Sequence, residues 1–167
     1  MKHSRTIIIA RTALIVALYT ALTYMLVGFA YGFIQIRISE ALVLLPLLYP
    51  ESIVGLTIGC ILANIASPYG VYDITIGSLV TLVSAVLTFL VGKFIKNKPL
   101  KIILGGLPPV LLNAFILPLI WYLVAGETGY WISVLSIFIS QSISIYVFGT
   151  LLFLTLDRLK TRGIKGL

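Results

Sequence analysis

The sequence predicts an all-α integral membrane protein: a six-transmembrane-helix bundle with the N and C termini cytoplasmic, forming a single transmembrane domain over residues 1–167. Three observations predict it. Hydrophobic residues make up 60% of the chain and charged residues only 10%, with a mean hydropathy of +1.14; a soluble domain carries roughly 45–50% and about 25%. A chain of this size has no way to hide that much apolar surface from water. Apolar segments also recur along the whole length, and the basic residues fall between them in an ordered way.

The segments run over about 6–28, 40–49, 52–67, 71–95, 100–125 and 130–156. The first is longer than a signal-peptide core and lacks a small-x-small cleavage site, so no cleaved leader is expected. Gly28 and Gly32 open the loop after it. Ser39 is read as the cap of the second segment, with Glu40 in its first turn. Tyr49-Pro50-Glu51-Ser52 forms a turn whose serine is expected to cap the third segment. Ser67-Pro68-Tyr69-Gly70 is the next turn, Lys96-Asn97-Lys98-Pro99 a charged loop, and Gly126-Glu127-Thr128-Gly129 the last connection.

Charge sets the topology. Lys2, Arg5 and Arg11, then Lys93, Lys96, Lys98 and Lys101, then Arg158, Lys160, Arg162 and Lys165 account for all but one of the twelve Lys and Arg residues. The positive-inside rule puts all three groups in the cytoplasm, so even numbers of crossings separate them. Four segments and then two satisfy this; a single long span over 40–67 does not. The segment 40–49 is only about 15 Å long as an α-helix, against a core of roughly 30 Å. Two full crossings or a re-entrant hairpin therefore both remain open for segments two and three.

Polar groups inside a membrane are costly and mark function by default. Glu51, Asp157 and Glu127 are read as solvated rim acids, whereas Glu40 and Asp73 sit at outer helix ends beside apolar sequence. Arg37, the one basic residue outside, either pairs with Glu40 or fixes a loop, with Glu40 left to a ligand. Asn64, Asn113 and Gln141 lie in segments three, five and six, and amides both donate and accept. Each amide alone fits an interhelical hydrogen bond equally well; three amides with two acids favour a polar cavity. Small-polar stripes on helix four (Gly77, Ser78, Thr81, Ser84, Ala85, Thr88) and helix six (Ser133, Ser136, Ser140, Ser144) mark inward faces. Tyr72 and Trp121 are the aromatics chosen to stack on a flat ligand, out of an outer belt that includes Phe29, Tyr31 and Tyr69. Ala13, Ala17 and Ala21, with Ala10 before them, form a small-xxx-small ladder for another helix, in the bundle or on a partner.

Several function classes fall away. There is no G-x-x-x-x-G-K-[ST] loop, the only histidine is His3, and the single Cys60 allows no intrachain disulfide. ATP-driven work would need a partner subunit. No cofactor or metal is expected, and the +7 charge is read as membrane orientation, not nucleic-acid binding.

Several motifs together resemble the queuosine-precursor family of substrate-binding S components of energy-coupling factor transporters. They are Ala10-Arg11-Thr12-Ala13-Leu14, Gln35-Ile36-Arg37-Ile38-Ser39-Glu40-Ala41-Leu42, Gly59-Cys60-Ile61-Leu62-Ala63-Asn64, Asp73 leading into Gly77-Ser78-Leu79, and Pro108-Pro109-Val110-Leu111-Leu112-Asn113-Ala114. The resemblance covers Ala10 to about Asp157. It implies a multi-pass protein of a prokaryotic cytoplasmic membrane that binds a 7-deazaguanine from outside. It also implies docking of the alanine ladder on a transmembrane coupling subunit, with two ATPase subunits driving release. Substrate contacts are then expected from Gln35, Arg37, Glu40, Asn64, Tyr72, Asp73, Asn113, Trp121 and Gln141. Glu40 would accept from the guanine-type edge and Asp73 would pair with an aminomethyl cation. An S component for riboflavin or thiamin, a stand-alone carrier and a small membrane enzyme are the competing readings.

Overall fold

The computed structural model describes residues 5–26, 28, 37–124, 126 and 128–162. Among them every regular element is helical. Four helices are long and apolar enough to cross a membrane: α1 (Arg5–Met25), α4 (Asp73–Phe94), α5 (Lys98–Val124) and α6 (Tyr130–Thr161). Two shorter apolar helices, α2 (Ile38–Leu47) and α3 (Ser52–Ala66), lie between α1 and α4.

The short α2 is the centre of the molecule. It is buried on every side from Ser39 to Leu47, and all five other helices pack on it. A helix that is apolar all round has no face to give to lipid or water, and this one is enclosed accordingly. It is wound as a 3₁₀-helix. At about 2.0 Å rise per residue, its ten residues reach roughly 20 Å instead of the 15 Å expected from an α-helix over 40–49.

Helix ends correct the sequence reading in three places. Ser39 lies inside α2, and its hydroxyl accepts from Thr23 Oγ1 at 2.8 Å, so it is packed across to α1 and is no cap. Ser52 is the first residue of α3, and its hydroxyl donates back to the Tyr49 carbonyl. The loop 96–99 ends sooner than expected, because Asn97 Oδ1 accepts from the Leu100 N–H and α5 begins at Lys98.

Two glycines let α1 and α3 meet. A Cβ on Gly55 would stand 2.9 Å from Ile15 Cβ, and one on Gly59 would stand 2.8 Å from Tyr19 Cβ. The contact carries the buried stripe Ile15, Tyr19 and Thr23 of α1. The alanine ladder is therefore not used inside the bundle: Ala13, Ala17 and Ala21 are exposed. They floor a wide groove of about 680 Å³ whose other wall is Ile58 and Leu62 of α3.

One interior proline of α5, Pro109, is accommodated from outside the helix. Pro109 has no N–H for the Gly105 carbonyl, and Thr88 of α4 donates to that carbonyl at 2.7 Å. The stripe Gly77, Ser78, Thr81, Ser84, Ala85 and Thr88 faces inward throughout, as its small polar residues suggested.

Basic residues gather at one end. Arg11 Nη1 pairs with Glu51 Oε1 at 2.8 Å, Lys98 Nζ with Asp157 Oδ2 at 2.6 Å, and Lys160 Nζ donates to the Leu48 carbonyl at 3.0 Å. These contacts bring together the start of α1, the α2–α3 turn, the start of α5 and the end of α6. They also correct two expectations: Glu51 and Asp157 are ion-paired and not simply solvated. Lys2, His3, Phe29, Tyr31, Glu127 and Lys165 lie outside the described residues.

Candidate functional site

The opposite end of the bundle carries the polar groups, in two linked clusters. The inner one centres on Glu40, in the first turn of α2 and 2% exposed. Tyr19 Oη donates to Glu40 Oε1 at 2.6 Å. That phenol is aimed by the close α1–α3 approach, which sets Tyr19 against Gly59. The Gln141 amide of α6 also faces the carboxylate, and Arg37 adds its positive charge nearby. Yet among the described residues Glu40 Oε2 meets no hydrogen-bond donor, and neither does Gln141 Oε1; both atoms are buried. An orphaned acceptor in a low-dielectric interior costs about 1–3 kcal/mol, more when charged. A donor group brought to this end of the bundle would satisfy such an acceptor.

The outer cluster centres on Asp73, the first residue of α4, also 2% exposed. Its Oδ1 accepts from the Trp121 indole N–H at 2.9 Å, and its Oδ2 from the Ser67 hydroxyl at 2.6 Å. Arg37 Nη2 stands 4.0 Å from Oδ2. The Asp73 backbone carbonyl accepts from Asn64 Nδ2 at 2.7 Å, and Asn64 reaches it across Gly77, where a Cβ would crowd Nδ2 at 3.0 Å. Arg37 thus faces Asp73 as well as Glu40, which joins the two clusters.

α4 opens with a π-helical turn over Asp73–Gly77, and α6 contains a second over Ser144–Gly149, just past Gln141. π-turns re-aim the residues around them and occur often at functional sites. Here both flank the polar clusters.

Trp121 also stacks on Tyr69, with ring centroids 4.5 Å apart and planes 13° from parallel. Together with Pro68, Tyr72, Ile120 and Val124 they bound a cleft of about 210 Å³. Tyr72 lines its edge and is about half exposed. Asn113 is buried on α5, eight residues before Trp121 and so roughly 12 Å deeper. Gln35 lies outside the described residues.

The structure therefore brings Glu40, Arg37 and Gln141 together, and Asp73, Asn64, Arg37 and Trp121 beside them. Sequence reasoning passed over Tyr19, Ser67 and Tyr69. Tyr19 carried a faint signal, since a tyrosine in mid-helix needs a partner for its hydroxyl. Ser67 and Tyr69 sat in an ordinary-looking turn.

A family model described as QueT transporter matches residues 9–158, nearly the whole chain. The chain belongs to the QueT transporter family. It is also 39% identical over 85 residues to the queuosine precursor transporter QueT of Lactococcus lactis subsp. cremoris (strain MG1363). That alignment spans about half the length of the curated relative and half of this chain. No solved structure matches. With several apolar helices and membership of a family described as transporters, the protein is a multi-pass protein of the cell membrane.

Proposed function

We propose that this protein is the substrate-binding S component of an energy-coupling factor importer, taking a 7-deazaguanine precursor of queuosine from outside. One observation carries the reading: Glu40 Oε2 and Gln141 Oε1, on side chains that face each other, are buried acceptors with no donor among the described residues. A guanine-type edge presents a ring N–H and an amino group side by side, and a carboxylate accepts both. The name of the relative from Lactococcus lactis, a queuosine precursor transporter, supports the same ligand class. Gln141 and Asn113 supply further amide contacts, Trp121 and Tyr72 offer flat faces, and Gln35 adds a polar group from the loop before Arg37.

All six helices cross the membrane in this reading, with the basic end cytoplasmic. The 3₁₀ winding of α2 supports it, since it stretches a ten-residue segment towards the length of a crossing. The polar end then faces out, where substrate arrives. A transmembrane coupling subunit docks in the alanine groove of α1, whose exposed Ala13, Ala17 and Ala21 let a partner helix approach closely. Two ATPase subunits power release inward. Replacing Ala17 with Trp fills the groove floor without touching the bundle interior. Ala17→Trp is therefore expected to abolish co-purification of the coupling subunit while leaving substrate affinity intact; retained co-purification would reject the docking face.

Calorimetric titration of the detergent-purified chain with aminomethyl- and cyano-deazaguanine, with riboflavin as control, tests the whole reading. Tight, saturable binding of a deazaguanine alone is expected. Riboflavin binding, or no deazaguanine binding by folded protein, would overturn it.

Asp73 enters the site with both oxygens already hydrogen-bonded by Ser67 and Trp121. In our reading it retains the expected second role, facing the aminomethyl cation through the remaining lone pairs of those oxygens. Asp73→Asn should then weaken the aminomethyl ligand more than the cyano ligand by about tenfold, the worth of one charge-assisted hydrogen bond. Equal weakening of the two ligands would instead leave Asp73 as the anchor of Trp121 and Arg37 alone.

A further inference from the structure

At the basic end, α1, α2 and α6 enclose a second apolar cleft of about 160 Å³. Leu14 and Leu18 of α1, Leu42 and Leu45 of α2, and Leu152 and Leu156 of α6 line it. Leu14 and Leu18 are exposed, so the cleft opens sideways to the hydrocarbon of the bilayer. Arg11 and Tyr49 close its end.

That end is unusually rich in cationic donors. The Arg11 guanidinium lies 4.7 Å from the centroid of the Tyr49 ring, and the Lys160 ammonium lies 5.0 Å from it. Glu51 neutralises one of the two charges through Arg11 Nη1. Arg11 Nε and Nη2 and the Tyr49 hydroxyl are buried and meet no hydrogen-bond partner among the described residues. Lys160 has three donors and uses one on the Leu48 carbonyl. Glu51 thus leaves a local excess of positive charge and several orphaned donors at the mouth of a groove shaped for hydrocarbon. The occupant that complements both halves is amphiphilic and negatively charged at its head.

We propose that this cleft binds an anionic phospholipid, with the phosphate held by Arg11 and Lys160 against Tyr49 and an acyl chain laid along Leu14, Leu18 and Leu152. Basic pockets between membrane helices recognise anionic headgroups in this way. The lipid would tie α6 to α1 across the buried α2. The inference does not depend on what the protein transports.

Native mass spectrometry of the delipidated full chain in detergent tests it. Dioleoyl phosphatidylglycerol, dioleoyl phosphatidylcholine and glycerol 3-phosphate are titrated in turn. Phosphatidylglycerol is expected to bind at least about fivefold tighter than phosphatidylcholine, because each cation near a membrane surface is worth about that factor. Lys160→Gln at its exposed position should remove about fivefold, and Leu18→Trp, which fills the cleft, should weaken binding at least as much. Arg11→Gln also breaks the Glu51 ion pair, so Lys160→Gln and Leu18→Trp are the deciding variants. Equal binding of the two lipids, or full phosphatidylglycerol binding by Leu18→Trp, would overturn the proposal. Displacement of phosphatidylglycerol by glycerol 3-phosphate would equally overturn it, by making the site one for free anions.

Discussion

Glu40→Gln is expected to lower the affinity for a deazaguanine about 100-fold, with the protein still folded. The replacement is nearly isosteric, and its amide oxygen can still accept the Tyr19 hydroxyl that now reaches Glu40 Oε1 at 2.6 Å. The change falls on the other atom. Oε2, a buried acceptor with no donor among the described residues, becomes an NH₂ group that meets the N–H groups of the ligand head-on. Charge-assisted hydrogen bonds are worth about 1.5–3 kcal/mol each, so losing two costs roughly 3 kcal/mol or more, which is about 100-fold. Titration calorimetry on the variant measures it directly. An unchanged dissociation constant would remove Glu40 from the site. A companion variant, Tyr19→Phe, removes the hydroxyl that donates to Oε1 and should cost less, about tenfold, because the charge on Glu40 remains to meet the ligand.

The largest expected effect on stability is at Gly149. Its position in the π-turn of α6 lays its Cα against the backbone of the central α2. A Cβ there would stand 2.9 Å from the Ala41 carbonyl oxygen and 3.5 Å from Ala41 Cα. Backbone cannot rotate out of the way as a side chain can, so α6 and α2 must separate. Overpacking of this kind costs about 1–3 kcal/mol, and a branched side chain adds more. Gly149→Val should therefore lower the thermal unfolding midpoint in detergent by several degrees or prevent accumulation of folded protein. Gly28→Ala is the contrast, since a Cβ there meets nothing within 4 Å. Matching midpoints for the two variants would show that α2 and α6 do not pack as closely as the structure has them.

The helical membrane class was legible along the chain. Composition and apolar runs require a membrane protein, and they do so without any long-range information. The clusters at 93–101 and at the C-terminus were placed together by charge alone, and Lys98 does meet Asp157. The inward face of α4 followed from its small polar residues at helical spacing, because such residues pay for themselves in a membrane only when buried. Glu40 and Asp73 stood out because an acid beside apolar sequence has few solvents.

Other features were decided only when helices met. α2 reads as a short segment, open to a full crossing or a re-entrant hairpin, and its place at the centre depends on all five neighbours. The pairing of Arg37 with Asp73, of Trp121 with the same carboxylate, and of Tyr19 with Glu40 joins residues 36, 48 and 21 positions apart. Local periodicity carries no information about such partners. The Tyr19 contact depends further on Gly59, which reads as an unremarkable small residue until α1 is seen lying on it. The sequence by itself determined the solvent of this protein and which acids were out of place. Tertiary structure decided that Asp73 has both oxygens hydrogen-bonded and that Glu40 keeps a buried oxygen with no donor among the described residues. The physical reason is that hydropathy and charge act residue by residue, whereas a buried hydrogen bond exists only where two distant helices bring its two halves within 3 Å.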